Sequence, residues 1–420
     1  MKRLAWGLAV MVVVAGAGYF FLWAWPLHDP HPKPFSATGA LVIRDARVYV
    51  SPTTAPVEHA TVLVKDGVIA AVGPDVQAPA DATAIACNSC VVIAGFWNVH
   101  VHFTESKWQG AAWKSAAVLN AQLADMLTSR GFTTVADVGS SPAGTIPLRR
   151  RIESGELLGP KIYTAEAAIY PPHGIPYYLG SLPFFVRWFM PQPESPEEAV
   201  RAVERNIARG SDLLKLFTGS YVARGKVLPM PEAIARAAAD DAHRHGQLVF
   251  SHPSNLAGVR VAMAAGVDVL AHAADDAEGV DRELLASIVA KHMSMSPTLK
   301  MFETTVTKKA EYMDPIYAEV RQFHELGGDL LFGTDVGYMT DYSTEDEFRA
   351  LAKCGLNAME ILRMLTVAPA ERFGVAREKG TVEAGKTADL VVLESDPTQD
   401  VAAFARVAAT VRAGRAIWKK

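Results

Sequence analysis

Cysteine is scarce in this 420-residue sequence, and long runs of one charge are missing. The formal net charge is -4, with no basic excess that would indicate nucleic-acid binding and no acidic tail. No repeat of fixed period and no low-complexity tract is present. Half of the residues are hydrophobic, so the chain can bury the core of one large domain or of two smaller ones.

The three cysteines limit the cysteine chemistry that is open to the chain. Cys87 and Cys90 are close in sequence, and no second pair of ligands lies nearby to complete a zinc site. No helix start follows them, as a thioredoxin-like redox site would need. Two alternatives remain: a disulfide across a turn, if this part lies outside the cytoplasm, or two ordinary cysteines beside a turn.

The N-terminus contains an apolar segment without charged residues, Leu4 to Trp25, preceded by Lys2 and Arg3. Its length suits a membrane-spanning helix, and the two basic residues favour leaving the N-terminus in the cytoplasm. We therefore expect residues 1–27 to anchor the chain, residues 28–39 to act as a linker, and the catalytic part to lie outside the cytoplasm, on the periplasmic side. The alternative is a signal peptide, cleaved to release a secreted or periplasmic protein.

Short strand-like runs occur at both ends of the remaining chain. Residues 40–93 contain four of them, with a hairpin signal at Asp66-Gly67 between the last two. Residues 371–420 contain three more, with a hairpin-like Ala413-Gly414. These two parts are predicted to join in one small β-sandwich, into which the central part of the chain is inserted.

Residues 94–370 alternate between apolar strand-like runs and helical stretches, which is typical of parallel β/α units. Eight such units close naturally into a (β/α)8 TIM barrel. The predicted strands end at His102 and cover 133–138, 161–164, 213–217, 248–252, 267–272, 293–297 and 330–335. The predicted helices cover 111–130, 197–209, 231–245, 255–265 and 282–292, and another covers 357–365 after the barrel.

A His-x-His pair follows the apolar run 91–94, which we interpret as a buried strand. Side chains alternate along a strand, so His100 and His102 point the same way and can reach one metal ion. An isolated pair is more often structural, so the interpretation depends on ligands at other strand ends. Such residues are present in His252, His272 and Asp335, and Lys215 lies within an apolar strand, where a lysine is costly unless paired or neutralised.

This pattern resembles the amidohydrolase superfamily in its binuclear form with a carboxylated lysine, closest to the imidazolonepropionase-related and Xaa-Pro dipeptidase-like branch. The matching stretches are 95–102, 212–217, 250–253, 266–272, 333–337 and the C-terminal 380–392. The resemblance covers nearly everything from residue 40 onward. One departure is Asn98, which stands where the family often has aspartate; it is not one of the usual ligands.

The resemblance implies a ligand set and a mechanism. His100, His102 and Asp335 would hold one divalent ion, and His252 and His272 the second. Carboxylated Lys215 and a hydroxide would bridge the two ions, with zinc expected since imidazole and carboxylate ligands suit it. Asp335 would orient the hydroxide, accept its proton and deliver a proton to the leaving nitrogen. Tyr221 is a second candidate catalytic residue, which would contact the substrate carbonyl.

The sequence thus predicts a metal-dependent hydrolase of amide-type C–N bonds, acting on a dipeptide, an N-acyl amino acid or a cyclic amide. Alternatives are a lactonase or other ester hydrolase on the same site, and a non-enzymatic metal-binding scaffold.

His173 is a candidate for the active-site mouth, and Arg224, Lys226 and Lys300 are candidates for binding a substrate carboxylate, although each cation alone would ordinarily be a solvated surface charge. No nucleic-acid partner is expected. The oligomeric state, including a homo-oligomer, is open.

Overall fold

The computed structural model describes residues 31–87, 89–180, 182, 184–307 and 309–420. The predicted apolar segment Leu4 to Trp25 lies outside this range, as does the first part of the linker. Within the described residues, no helix is both long enough and apolar enough to cross a membrane.

Strands from both ends of the chain form one eight-stranded sheet. The strands are β1 (Ala40–Val48), β2 (Val57–Lys65), β3 (Val68–Gly73), β4 (Thr83–Ile85), β5 (Val91–Ala94), β16 (Leu390–Leu393), β17 (Val407–Arg412) and β18 (Arg415–Lys419). Their order in the sheet is β18-β17-β16-β5-β1-β2-β3, with β4 beside β1. The predicted hairpin at Asp66-Gly67 is present, and both residues have positive φ, as this type of turn requires.

One sequence-based assignment in this sheet was wrong. The predicted strands 40–43 and 46–50 are a single strand, β1, with a bulge where Asp45 has a φ of 53°. The run Val91–Ala94 is a buried strand, as predicted, and it belongs to this sheet because it pairs with β1 and with β16. Gly95 alone separates it from the first barrel strand, and a Cβ there would lie 2.3 Å from Thr133 Oγ1. The two units are therefore packed directly against each other.

Eight parallel strands form the barrel, as predicted. They are β6 (Phe96–Val101), β7 (Phe132–Asp137), β8 (Lys161–Thr164), β9 (Leu213–Phe217), β12 (Leu248–His252), β13 (Val269–Ala271), β14 (Ser294–Ser296) and β15 (Asp329–Leu330). Pairing continues around the ring through the isolated bridges Ile169–Leu216 and Val101–Val336. A hairpin of β10 (Gly219–Ala223) and β11 (Lys226–Pro229) follows β9. We call the C-terminal end of the barrel strands the mouth.

Helices lie between the barrel strands and after the last of them. They are α1 (Ala116–Met126), α2 (Pro142–Glu153), α3 (Phe184–Trp188), α4 (Pro196–Ala208), α5 (Glu232–Arg244), α6 (Leu256–Ala265), α7 (Arg282–Ala290), α8 (Leu299–Thr305), α9 (Ala310–Glu325), α10 (Glu345–Lys353), α11 (Ala358–Leu365) and α12 (Val367–Arg372). The six predicted helices correspond to α1, α4, α5, α6, α7 and α11. Side-chain caps from Ser195, Asn255, Asp281 and Asn357 start four of them.

Cys87 and Cys90 form a disulfide in the loop between β4 and β5, with sulfur atoms 2.03 Å apart and Cα atoms 5.2 Å apart. Of the two alternatives that the sequence left open, the structure has the disulfide. Cys354 is a buried free cysteine at the end of α10. A thiol that is buried among apolar side chains reacts slowly, so the two kinds of cysteine are chemically distinguishable.

Candidate metal centre

The six predicted ligand residues all lie at or near the mouth. Two stand inside strands: His100 in β6 and Lys215 in β9. His252 ends β12, and His102 and His272 directly follow β6 and β13. Asp335 follows the eighth strand, and its amide donates a hydrogen bond of 2.8 Å to the His100 carbonyl. Side chains alternate along a strand, and the C-terminal ends of the barrel strands lie on one face. The six side chains, from five strands, therefore point into one volume.

Asp335 lies against both histidines of the first strand. Its Oδ1 is 3.4 Å from His100 Nε2 and 3.0 Å from His102 Nε2. Its other oxygen, Oδ2, is 4.0 Å from His272 Nε2. Ligand atoms of His100, His272 and Asp335 all lie within 4.8 Å of one another, a spacing that one metal ion can bridge.

His252 extends the group on the side of the fifth strand. Its ring centroid is 4.7 Å from that of His272, which in turn is 4.4 Å from that of His100. The His252 ring stacks on Phe217 at 4.7 Å, which holds its orientation. The structure therefore brings together all four predicted histidines and the predicted aspartate.

Hydrogen bonds outside the group orient two of the histidines. His102 Nδ1 lies 2.7 Å from the Gly139 carbonyl, which can only accept, so Nδ1 carries the proton. His272 Nδ1 lies 2.7 Å from the Thr298 hydroxyl. In both residues the Nε2 atom faces Asp335, which is the arrangement that metal-binding histidines need.

The burial and the hydrogen bonding of His100 show whether this arrangement fits a metal ion. It is fully buried, and neither of its ring nitrogens has a hydrogen-bond partner among the described residues. Burial drives the pKa of His100 well below its usual value, with the positive charges of His272 and Lys215 adding to the effect. Leaving a buried imidazole unpaired costs free energy, and a bound cation would remove that cost. The donor set therefore fits a metal.

Lys215 is 2% exposed and lies beside the same residues. Its Nζ is 5.6 Å from the centre of the Phe217 ring, and no described carboxylate forms an ion pair with it. Burial lowers the pKa of Lys215 to about 7, an effect that the attraction of Asp335 partly offsets. A lysine in such a position is unfavourable as an ammonium ion, as the sequence pattern indicated.

The segment 333–337 needs its two glycines in order to place Asp335. A Cβ at Gly333 would lie 2.2 Å from Ser296 Oγ and 2.7 Å from His100 Cβ. A Cβ at Gly337 would lie 1.8 Å from the His102 carbonyl oxygen. Asp335 itself has a φ of 59°, and His272 has a φ of 123°, conformations that non-glycine residues rarely adopt. The two glycines therefore allow the segment after the eighth strand to lie close to the first strand.

The remaining candidates are less central. Tyr221 lies half-buried on β10, so it belongs to a hairpin rather than to a loop. His173 is an exposed loop residue, with Nε2 3.8 Å from Glu194. Arg224 and Lys226 are exposed near the tip of the β10–β11 hairpin.

Lys300 corrects a prediction, because it is neither solvated nor free to bind substrate. The residue is 1% exposed. Its Nζ forms an ion pair of 2.8 Å with Asp341 and donates a hydrogen bond of 2.7 Å to the Ser343 carbonyl. It therefore fastens the loop before α10 to the start of α8.

One residue that supports the site escaped the sequence analysis. Thr298 lies within hydrogen-bond distance of His272 Nδ1. The available signal was its position just beyond the seventh strand, since barrel proteins place functional side chains beyond strand ends. Its residue type alone gave no reason to single it out.

A surface cavity of about 700 Å³ lies at the opposite end of the barrel, where strands β14 and β15 begin. Its charged residues are already paired with one another: Arg363 lies 2.7 Å from Glu371 and 3.5 Å from Asp329. This cavity is remote from the histidine group. Among the described residues that line it, no group of side chains is spaced to hold a metal ion as the group at the mouth is.

A model of the amidohydrolase family matches residues 91–417. The chain is 22% identical over 414 residues to the ochratoxinase of Aspergillus niger, covering 87% of this chain and 82% of that protein. An imidazolonepropionase from Thermoplasma acidophilum is 34% identical over 85 residues, which are 20% of this chain and 21% of that enzyme. A solved Xaa-Pro dipeptidase with methionine in its active site is similar in fold, with a TM-score of 0.77 at 21% identity, covering 91% of this chain and 100% of that chain.

The barrel and the histidine group at its mouth define a hydrolase of the metal-binding type. Since the family model matches well over half of the chain, the chain belongs to the amidohydrolase family. The resemblance predicted from the sequence is thereby confirmed. The predicted class of enzyme, a hydrolase of amide-type carbon–nitrogen bonds, is confirmed at the level of the family.

Proposed function

We propose that the chain is a binuclear metal-dependent amide hydrolase whose substrate is a dipeptide, an N-acyl amino acid or a cyclic amide. The observation that carries this proposal is the convergence of His100, His102 and Asp335 around one buried volume, with the His100 nitrogens left unpaired. The ochratoxinase and the Xaa-Pro dipeptidase that share its fold support the choice of an amide bond.

The residues would hold two divalent ions, zinc being the ion that this donor set suits best. His100, His102 and Asp335 would bind the first and His252 and His272 the second, with Lys215, carboxylated on Nζ, between them. The buried position of Lys215 without an ion-pair partner among the described residues supports the carboxylated form. When bound, the ions lower the pKa of a water molecule and polarise the substrate carbonyl.

Asp335 would move the proton during hydrolysis. Its Oδ1 is shielded from solvent and has no hydrogen-bond partner among the described residues, so it is available to accept a proton from the attacking water. As the carbonyl C–N bond breaks, the same carboxyl would return the proton to the leaving nitrogen. The products are a carboxylate and an amine that has taken up both protons of the water, one through Asp335 and one from the nascent acid, and Asp335 ends the cycle ionised.

Tyr221 would donate a hydrogen bond to the substrate carbonyl oxygen. It stands four residues beyond Phe217, on the strand that leaves the mouth next to Lys215. Burial raises the pKa of the Tyr221 hydroxyl, and the nearby Asp275 carboxylate raises it further, so the hydroxyl keeps its proton. A neutral donor of this kind stabilises negative charge that develops on the oxygen.

We also propose that the enzyme is anchored in a membrane by residues 4–25, with its catalytic part outside the cytoplasm. The charge-free apolar composition of that segment supports this location. The Cys87–Cys90 disulfide adds support, since disulfides persist in oxidising compartments. Protease digestion of intact and of permeabilised cells tests it: protection of the barrel after the outer barrier is opened would contradict it.

Replacing Lys215 tests the two-metal proposal. In Lys215→Ala we expect loss of turnover and loss of the second metal equivalent, measured by elemental analysis of purified protein and by a panel of dipeptides, acyl amino acids and lactones. Lys161→Ala is the matched control, because Lys161 is partly buried at the start of β8, away from the mouth. Full metal content and full turnover in Lys215→Ala would contradict the bridging role. Turnover of lactones alone would contradict the amide assignment.

A further inference from the structure

His252 differs from the two histidines that hydrogen bonds orient. The Nδ1 atoms of His102 and His272 each lie 2.7 Å from an oxygen atom of a neighbouring residue. Among the described residues, no such partner reaches a ring nitrogen of His252, which is 7% exposed. The last side-chain torsion of a histidine has broad energy minima, so another contact must hold this ring if it is to point at a metal ion.

Phe217 supplies that contact. It lies directly opposite His252 in the pairing of β9 with β12, and the two rings stack with 4.7 Å between their centroids and 23° between their planes. The centre of the same phenyl ring is 5.6 Å from Lys215 Nζ. Phe217 therefore lies beside two of the three residues that are proposed to hold the second ion.

Tyr170 packs on the Phe217 ring in turn. Their ring centroids are 4.6 Å apart, with 31° between the planes, and Tyr170 is 6% exposed. The neighbouring residue, Ile169, is bonded to β9 on both sides of this contact: its amide donates to the Lys215 carbonyl, and its carbonyl accepts from the Phe217 amide, both at 2.9 Å. Tyr170, Phe217 and His252 thus form one continuous row of rings.

The backbone of Tyr170 is also held on its other side. Its amide donates a hydrogen bond of 2.9 Å to the Pro191 carbonyl, which closes the base of the loop 171–190. Tyr170 can therefore move only if the barrel wall at Ile169 or the base of this loop opens. Such a residue is a firm support for the Phe217 ring.

A phenyl ring at position 217 does more than packing requires. The residue is only partly buried, so filling the core does not demand a phenylalanine there. An aliphatic side chain would also cover apolar surface, but only a flat ring can lie almost parallel to an imidazole and limit its rotation. Residues that orient metal ligands in this way typically contribute about 10- to 100-fold to metal affinity.

We propose that Phe217 and Tyr170 are positioning residues of the second metal site, whose stacked rings fix the direction of the His252 imidazole and the place of the Lys215 side chain. The inference rests on the proposed two-metal function and adds to it the residues that set the affinity for the second ion. The first ion should be affected little, because His102 is held independently by the Gly139 carbonyl.

Replacing Phe217 tests the proposal through metal binding alone. Phe217→Leu keeps an apolar side chain and removes the ring. Titration of the metal-free full chain with Zn²⁺, in competition with a chromophoric chelator, gives the number of bound ions and the Kd of each. We expect the second ion to bind about 10- to 100-fold more weakly than in wild type, while the first keeps its affinity. His252→Ala assigns the affected ion, since it should weaken the same one.

Tyr170 tests whether the two aromatic residues act as one row. Tyr170→Phe keeps the ring and should bind both ions as wild type does, whereas Tyr170→Leu should weaken the second ion. In the double variant with Phe217→Leu, the replacement of Tyr170 by Leu should have little further effect, because Tyr170 acts through Phe217. Independent, additive effects of the two replacements would contradict this arrangement.

Phe323→Leu is the matched control. Phe323 is fully buried near the end of α9 and has no contact with the proposed ligands. Its replacement should lower the thermal midpoint without changing the affinity for either ion. Thermal unfolding of every variant shows which of them fold, and Tyr170→Leu decides the question if Phe217→Leu does not.

Two results would overturn the proposal: unchanged affinity for the second ion in both Phe217→Leu and Tyr170→Leu, or equal weakening of both ions. The proposed function is judged separately, by the number of ions that wild type binds. A wild-type chain that binds one ion contradicts the two-metal function. Weaker binding of that ion in Phe217→Leu than in Phe323→Leu would still support the positioning role, and equal binding would overturn it.

Discussion

Asn98 joins the first and the eighth barrel strands beside the metal centre. Its Nδ2 donates a hydrogen bond of 2.7 Å to Thr334 Oγ1, and its Oδ1 accepts one of 3.2 Å from the His100 amide. Both asparagine and threonine are buried, and Thr334 directly precedes Asp335. The residue that departs from the family pattern therefore connects two of the proposed ligands without being one itself.

Replacing Asn98 should affect metal binding as well as stability. Asn98→Ala leaves the His100 amide and the Thr334 hydroxyl unpaired, so we expect a loss of about 1–3 kcal/mol in the free energy of unfolding. The metal content after dialysis should also fall. Asn98→Asp should lose less of both, because a carboxylate can accept from the amide and from the threonine hydroxyl. Urea unfolding and elemental analysis measure the two effects.

Asn206 offers a matched control for Asn98. It is 2% exposed, and its amide donates to the carbonyls of Ala165 and Ala167. Asn206→Ala should reduce stability and leave the metal content unchanged. If Asn98→Ala also retained its full metal content, the connection between the strands would be only structural.

Gly333→Ala should damage the centre directly. The new methyl group would meet Ser296 Oγ and His100 Cβ at distances well below contact, so the eighth strand must move away from the first. We expect a loss of stability of about 1–3 kcal/mol together with a reduced metal content. Gly144→Ala, inside α2, would meet its nearest atom at 3.6 Å and should be neutral or stabilising. Normal metal content in Gly333→Ala would show that the clash can be relieved elsewhere.

Glu319 makes stability depend on pH. Burial raises the pKa of Glu319 from 4.5 to about 8. Because the folded state holds this proton more tightly than the unfolded state, the contribution is full below the unfolded pKa. It is lost as the pH rises through about 8, at about 1.4 kcal/mol for each pKa unit. Glu319→Gln cannot ionise and still accepts from the Ala274 amide, so its stability should fall less between pH 6 and pH 9.

Urea midpoints at the two pH values measure the difference. Glu311→Gln, an exposed position on the same helix, serves as the control and should follow the wild-type profile. Identical pH profiles for wild type and Glu319→Gln would mean that Glu319 has the same pKa in the folded and unfolded states, and thus that burial does not raise it.

The cysteines allow a chemical check of the covalent structure. Without reductant, the denatured chain should have one reactive thiol, Cys354, and after reduction it should have three. Cys87→Ser combined with Cys90→Ser should lower the free energy of unfolding by about 2 kcal/mol, the effect expected for so short a loop. Metal content should not change, since the disulfide lies in the loop between β4 and β5 and none of the proposed ligands belongs to that loop. Three thiols before reduction would rule out the disulfide.

The ligand residues could be predicted from the sequence because each carries a local signal. His100 and His102 share one face of a strand, and Lys215 interrupts an apolar run, so strand geometry alone brings them to one end of a barrel. Boundaries in the later strands were less accurate: the predicted strand 267–272 is paired only over Val269–Ala271. At the mouth end, His272 has a φ of 123° and lies outside the strand, and periodicity does not show such a change of backbone conformation.

Other features depended on distant partners and could not be predicted. The strand Val91–Ala94 looks the same whether it enters a barrel or a sheet, and only its pairing with β16 decides the matter. Lys300 looked like a surface charge because its partner Asp341 lies 41 residues later, in a loop.

The pairing of β5 with β16 also has a consequence for synthesis. Ala94 pairs with Leu390, about 300 residues later, in the middle of the eight-stranded sheet. While the ribosome makes the barrel, β5 has an open edge that other strands can bind. The nascent chain must therefore keep this edge protected until β16 has emerged. Truncation near the C-terminus should consequently produce aggregation rather than a smaller folded enzyme, even though every proposed metal ligand would still be present.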